Sequence, residues 1–79
     1  MDRSEILKVI NDIFIETLDN EEIELSEDSQ ASDVEDWDSL SHIQLVVEVE
    51  KHFKIRFTSK EIQSWGNVGG MIDSVVAKL

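Results

Sequence analysis

Apolar residues recur at helical intervals in three separate blocks of this chain, and no cysteine is present to staple them together. Residues 2–18 carry Ile6, Ile10, Ile13, Phe14 and Leu18, which fall on one stripe of a helix. A second helix begins near Ser39, where Leu40, Ile43, Val46, Val47 and Phe53 follow at helical spacing. In the last block Val68, Met71, Ile72, Val75, Val76 and Leu79 make one apolar face. An amphipathic helix must bury its stripe against another element, so three such blocks predict an all-α bundle. The 79 residues suffice for one domain, 1–79, with one modest core. A chain of this length buries only about 60% of the surface it exposes when unfolded.

Capping residues place the helix ends. Asp2 and Glu5 have capping-box spacing, with Asp in place of Ser or Thr, and Asp19-Asn20 closes the first helix. Asp38 is a good N-cap for the second helix. By propensity Leu45-Val46-Val47 could be a strand, but Glu48, Glu50, Lys51 and the length of the periodic segment favour helix. Thr58 and Glu61 form another capping box that opens a short helix through about Trp65. Gly66 breaks it, and Asn67 caps the last helix. Gly69 and Gly70 weaken that helix's first turn and permit close approach of backbones. The expected fold is a small four-helix bundle, three main helices plus one short, with Phe14, Phe53, Phe57 and Trp65 at or near the core. A long acidic loop, Glu21 to Asp38, joins helices one and two without a sustained period. Ile23, Leu25 and Val34 pin it to the core, and a connection of that length is more often functional than idle.

Charge narrows the partners. Eighteen acids against seven bases give a net charge of −11. From Val9 to Glu50 there are fourteen acids and no Lys or Arg, with twelve of the acids between Asp12 and Asp38. Four bases then cluster at Lys51, Lys54, Arg56 and Lys60, where a solvated helix end accommodates them. Phosphate binding needs clustered cations, so nucleic acid and anionic membrane are excluded as expected partners. Basic protein surfaces are favoured instead. Absence of cysteine excludes a thiolate metal site and a cysteine nucleophile. No apolar run approaches the roughly 18 residues of a membrane span, and MDRSEILKVI lacks the form of a signal peptide. A cytoplasmic monomer is the expectation.

The most informative local feature is Asp36-Trp37-Asp38-Ser39-Leu40, where the acidic loop meets the second helix. A serine just after an Asp cap is usually structural. Yet a helix start offers free N–H groups and a positive dipole end, which tolerate a phosphate ester. A hydroxyl there suits covalent modification by another enzyme. Three rivals are weaker. Ser39 and His42 are three residues apart on one helix face, as a nucleophile and its base would be, but no strand-turn-helix elbow accompanies them. His42 is expected at the surface, near the face that partners meet. A calcium loop fails in both registers, because Asp33 or Ser41 stands where the pattern needs glycine. No metal site is therefore expected. An acidic protein-interaction module without a prosthetic group is the remaining alternative.

The stretch DWDSLSHIQLVVEVEKHFKIRF resembles the attachment-site region of acyl carrier proteins. Asp38-Ser39-Leu40 matches that family's hallmark triplet, and Glu50, Phe53 and Ile55 match its Glu-x-x-Phe-x-Ile ending. Asn67-Val68-Gly69 is similar to its Val-Gly turn. The resemblance implies a non-catalytic carrier that holds acyl or aminoacyl groups as thioesters on 4'-phosphopantetheine, donated from coenzyme A to Ser39 by a phosphopantetheinyl transferase. It also implies acyl-loading and acyl-processing enzymes with basic docking surfaces as partners, meeting Asp36, Trp37, Asp38, Leu40, Ile43 and Glu48. Ser41 and Gln44 stand where carriers of fatty acid synthesis usually have further acids. With Trp37 and His42, they look more like a standalone carrier of a specialised pathway.

Overall fold

A computed structural model describes residues 2–79. Four helices appear in it: α1 (Arg3–Leu18), α2 (Ser39–Phe53), α3 (Ser59–Ser64) and α4 (Val68–Lys78). No strand occurs among the described residues. α1 packs against both α2 and α4, and the short α3 lies against α4.

Each helix starts on a residue that satisfies its orphan amides. The Asp2 carboxylate accepts from the Glu5 amide at 2.9 Å. Thr58 and Glu61 make a reciprocal box, Asn67 accepts from the Gly70 amide, and Asp38 accepts from the amides of Leu40 and Ser41. α1 and α2 both end on a non-glycine residue in the left-handed region, Asp19 at φ 52° and Lys54 at φ 58°. Lys54 thus ends α2 through its backbone, its N–H returning to the Glu50 carbonyl.

The core is Ile6, Ile10 and Phe14 from α1, Leu45 and Val49 from α2, and Val68, Met71, Ile72 and Val75 from α4. Two of its members, Ile23 and Trp37, come from the connection between α1 and α2. That connection carries one 3₁₀ turn at Ala31–Asp33, which periodicity did not anticipate. Asn11 ties it down from α1: its side-chain amide donates to the Ile23 carbonyl and its oxygen accepts from the Leu25 amide. The carbonyls of Glu27 and Ser29 in turn accept the amides of Gly69 and Val68, so loop backbone finishes the cap of α4.

The orientation of α2 departs from the sequence expectation. Leu40, Ile43, Val46, Val47 and Phe53 are expected on the inner stripe, yet Leu40 is 72% exposed, Ile43 63% and Val47 40%. Val46 goes inside as expected, but Leu45 and Val49 join it there in place of the exposed three. The helix carries two apolar stripes, and only one can face α1 and α4. In α4 the inner stripe likewise stops short of Val76 and Leu79, which are exposed.

Candidate functional site

The end of the acidic connection and the first turn of α2 form one small hydrogen-bonded unit. Asp38 takes up the amides of Leu40 and Ser41, and those bonds, the one from Ser41 first, hold its carboxyl below the usual carboxylate range. Ser41 closes the box from the other side. Its hydroxyl accepts from the Asp38 amide at 2.8 Å and donates to the Asp36 carbonyl at 2.9 Å. Ser41 therefore occupies its position as a cap partner, which explains a serine where an acid was expected.

Ser39 and Ser41 differ sharply in consequence. Ser41 is half-buried and its hydroxyl is committed to the cap. Ser39, the first residue of α2, is exposed, and its hydroxyl makes no hydrogen bond among the described residues. Of the two, only Ser39 offers an oxygen that can be esterified without dismantling the helix start. The positive end of the α2 dipole would favour a phosphate there.

Ser39 opens onto a cleft of about 550 Å³, between the 3₁₀ turn, the start of α2 and the α3–α4 junction. Trp37, His42, Trp65 and Met71 supply its aromatic and apolar lining. Trp37 corrects the expectation that placed it on a docking face. It is 8% exposed and packs edge-on against Phe14, ring centres 4.8 Å apart, because the chain turns inward to reach the α2 cap. A buried indole needs a partner for its N–H. His42 provides it, Nδ1 accepting from Trp37 Nε1 at 3.0 Å with the two rings stacked at 5.9 Å. His42 is thus a half-buried member of the cleft rather than a surface residue, and burial holds it below the ordinary imidazole range. No hydrogen bond joins Ser39 to His42 among the described residues, so the nucleophile-base pairing is not formed.

Of the remaining anticipated positions Asp38 lines the rim of the cleft and the others lie outside it. Asp36, Asp38, Leu40, Ile43 and Glu48 are all exposed, and Leu40, Ile43 and Val47 line up along α2 at helical spacing. Glu48 faces Lys51 at 3.9 Å. Among the described residues no group of three or more His, Asp or Glu is placed to hold a metal ion. None of the helices is long and apolar enough to cross a membrane. Sequence reasoning missed the part played by Trp65, whose indole donates to Ser74 Oγ at 2.8 Å while its ring stands edge-on to His42. Its only signal was an aromatic residue just before a glycine break.

The helical bundle thus displays an unengaged serine at a helix start, beside an open cleft. Comparison with known proteins makes the class specific. The family model for the phosphopantetheine attachment site matches residues 8–75. The chain is also similar to a holo acyl carrier protein from Geobacter metallireducens, solved by solution NMR. The two are 40% identical, with 92% of this chain and 84% of that one covered and a TM-score of 0.86. The chain belongs to the acyl carrier protein family, carriers of acyl intermediates as thioesters on covalently attached 4'-phosphopantetheine. The prosthetic group supplies the thiol that a chain without cysteine lacks. The residues present fit such a group: a free hydroxyl at a helix start, next to a cleft that is apolar with a polar rim. Membership supports a carrier over an acidic interaction module without a prosthetic group.

Proposed function

We propose that Ser39 is the attachment residue and that the protein presents acyl thioesters to other enzymes without catalysis of its own. One observation carries this reading. In a chain matched by the attachment-site family, Ser39 has an exposed, unengaged hydroxyl at the first residue of α2, while the neighbouring Ser41 is spent on the cap. Asp38 holds the helix start in shape around that hydroxyl. The partners would be a phosphopantetheinyl transferase and acyl-loading or acyl-processing enzymes. Their basic surfaces would meet Asp36, Asp38 and Glu48, and an apolar recess would take Leu40 and Ile43, whose exposure supports that role. With Ser41 and Gln44 in place of acids, α2 favours partners of a specialised pathway over those of general fatty acid synthesis. We place this work in the cytoplasm and the carrier as a monomer.

The test is incubation of the apo protein with coenzyme A, magnesium and a broad-specificity transferase, followed by intact mass measurement. A gain of one phosphopantetheine in the wild type, and none in Ser39→Ala with helical circular dichroism retained, is the expected result. Absence of any gain in the wild type, or a gain in Ser39→Ala, sinks the assignment.

A further inference from the structure

The bases of this chain meet different fates. Arg3 and Lys78 are engaged across the fold, Arg3 with Glu27 and Asp73, and Lys78 with Glu61 at 3.0 Å. The segment 51–60 holds Lys51, Lys54, Arg56 and Lys60 and no acid, and all four bases are exposed. Lys51 lies 3.9 Å from Glu48, while Lys54 and Arg56 make no ion pair among the described residues. A helix end accounts for only part of this cluster. Cations favour the last turn, where Lys51 stands, but Lys54 is the C-terminal cap of α2 and Arg56 lies beyond it.

Lys51, Lys54 and Arg56 instead surround a groove of about 610 Å³ whose apolar lining is Val47 and Ile55. The one acid in the lining, Glu50, turns a carboxylate oxygen to the Phe57 amide at 2.7 Å and so fastens the segment that follows α2. Three bases against one acid leave the groove positive, on a chain of net charge −11.

We propose that this groove docks an acidic segment of a partner protein, in which an aliphatic or aromatic side chain stands between carboxylates. That side chain would lie on Val47 and Ile55, and the carboxylates would meet Lys51, Lys54 and the bidentate fork of Arg56. A nucleic acid or an anionic bilayer would face far more of the surface, and with it the fourteen acids between Val9 and Glu50. A short segment meets the groove alone. Asp38 and Lys54, at opposite ends of α2, are separated by about 24 Å of helix, roughly three screening lengths in physiological salt, so a partner reads the two ends separately. Val47 also ends the exposed Leu40-Ile43-Val47 stripe, so the groove continues the face that displays Leu40. A partner covering both would need cations near Ser39 and acids at the groove. That pairing fixes the direction in which α2 lies and refuses a surface basic throughout. Docking in the groove does not depend on attachment at Ser39.

The probe is a short synthetic peptide with Leu-Phe at its centre and runs of glutamate on both sides, titrated into the ¹⁵N-labelled protein by NMR. Amide shifts are expected at Val47, Lys51, Lys54, Ile55 and Arg56 with peptide in the millimolar range, fading as salt rises. Arg56→Glu and Lys54→Glu, with circular dichroism unchanged, should each weaken binding by at least about threefold, since each replaces an attraction by a like-charge contact. Lys8→Glu, at an exposed position on α1, makes the same change in net charge away from the groove and should leave binding nearly level. A peptide with Gly-Ser in place of Leu-Phe should lose most of the shifts. Equal losses in Lys8→Glu and Arg56→Glu would reduce the effect to net charge and overturn the groove. So would shifts confined to other surfaces, no shift at millimolar peptide, or binding of phosphatidylglycerol vesicles without binding of the peptide.

Discussion

The Gly69 amide donates to the Glu27 carbonyl at 2.7 Å, and a Cβ on residue 69 would stand only 3.0 Å from that same oxygen. The first turn of α4 and the acidic connection are therefore joined backbone to backbone. Alanine at 69 gains about 0.5–1 kcal/mol of helix propensity. It also forces the two backbones apart, at a cost of about 1–3 kcal/mol for a crowded, well-packed site. The crowding should win. Gly69→Ala is expected to lower the melting temperature by about 4–8 °C per net kcal/mol. Gly66→Ala meets nothing within 4 Å and should leave it level or slightly raised. Thermal unfolding followed by circular dichroism separates the two, and a Gly69→Ala protein as stable as wild type refutes the crowding account.

Trp37 and Leu40 lie three residues apart and behave oppositely. Trp37 is in the core against Phe14, so Trp37→Ala removes a buried aromatic side chain, a change that typically costs about 3–5 kcal/mol. That is a large share of what holds a small domain together. Leu40 is 72% exposed, and Leu40→Ala should change stability by no more than about 0.5 kcal/mol. If Leu40 meets partner enzymes, the same substitution should lower kcat/KM for loading by the transferase while melting stays put. Equal melting temperatures for the two variants would contradict the burial difference.

Helix positions and caps were legible because they depend on residues within four of one another. Asp2, Asp38, Thr58 and Asn67 each cap the helix that their sequence neighbours predict. The rotation of α2 was not legible. Leu40-Ile43-Val47 and Leu45-Val49 are both apolar at helical spacing, and only contact with α1 and α4 decides which turns inward. Ser39 could be singled out through the resemblance of Asp38-Ser39-Leu40 to the carrier triplet, not through its place after the Asp cap alone. The aromatic lining beside it could not, since Trp37 sits in a segment without a period. Its partner His42 is reached only because the chain folds inward before α2. Contacts across 24 and 70 residues, such as those of Arg3, leave no local trace either.

Arg3 is one of the few cations set against this chain's excess of acids. From α1 it donates to Glu27 in the connection and to Asp73 on α4, and the bond to Arg3 holds the Glu27 carboxyl below its ordinary value. Losing it removes both ties and leaves two more unpaired acids on a chain of net charge −11. Arg3→Ala should therefore melt lower than wild type, and more so at low ionic strength, where repulsion among acids is least screened. Raising salt should stabilise both proteins and narrow the gap between them. A gap that widens with salt would show that Arg3 acts through packing of its stem and not through charge.

Acidity should destabilise the protein in two separable windows. Burial lowers the His42 pKa, so the unfolded chain takes up that proton before the folded one does. More protons bound in the unfolded state mean that stability rises with pH. The contribution is complete above the ordinary imidazole value, about 6.5. It is lost as pH falls through the lower folded value. Protonation at Nδ1 would also deprive the Trp37 indole of its acceptor. Asp38 lines the same cleft as an ionised carboxylate, its Oδ1 accepting from the Leu40 and Ser41 amides, yet burial alone sets the direction of the His42 shift. Asp2, Glu27, Asp38 and Glu61 are also depressed, so their contributions persist to lower pH and disappear below the ordinary carboxylate range. Urea midpoints should therefore drop between pH 7.5 and 5.5 in the wild type. In His42→Gln, whose amide oxygen can still accept from Trp37 but does not titrate, that first drop should vanish while the acid limb remains. A first drop of equal size in His42→Gln would assign it to another group.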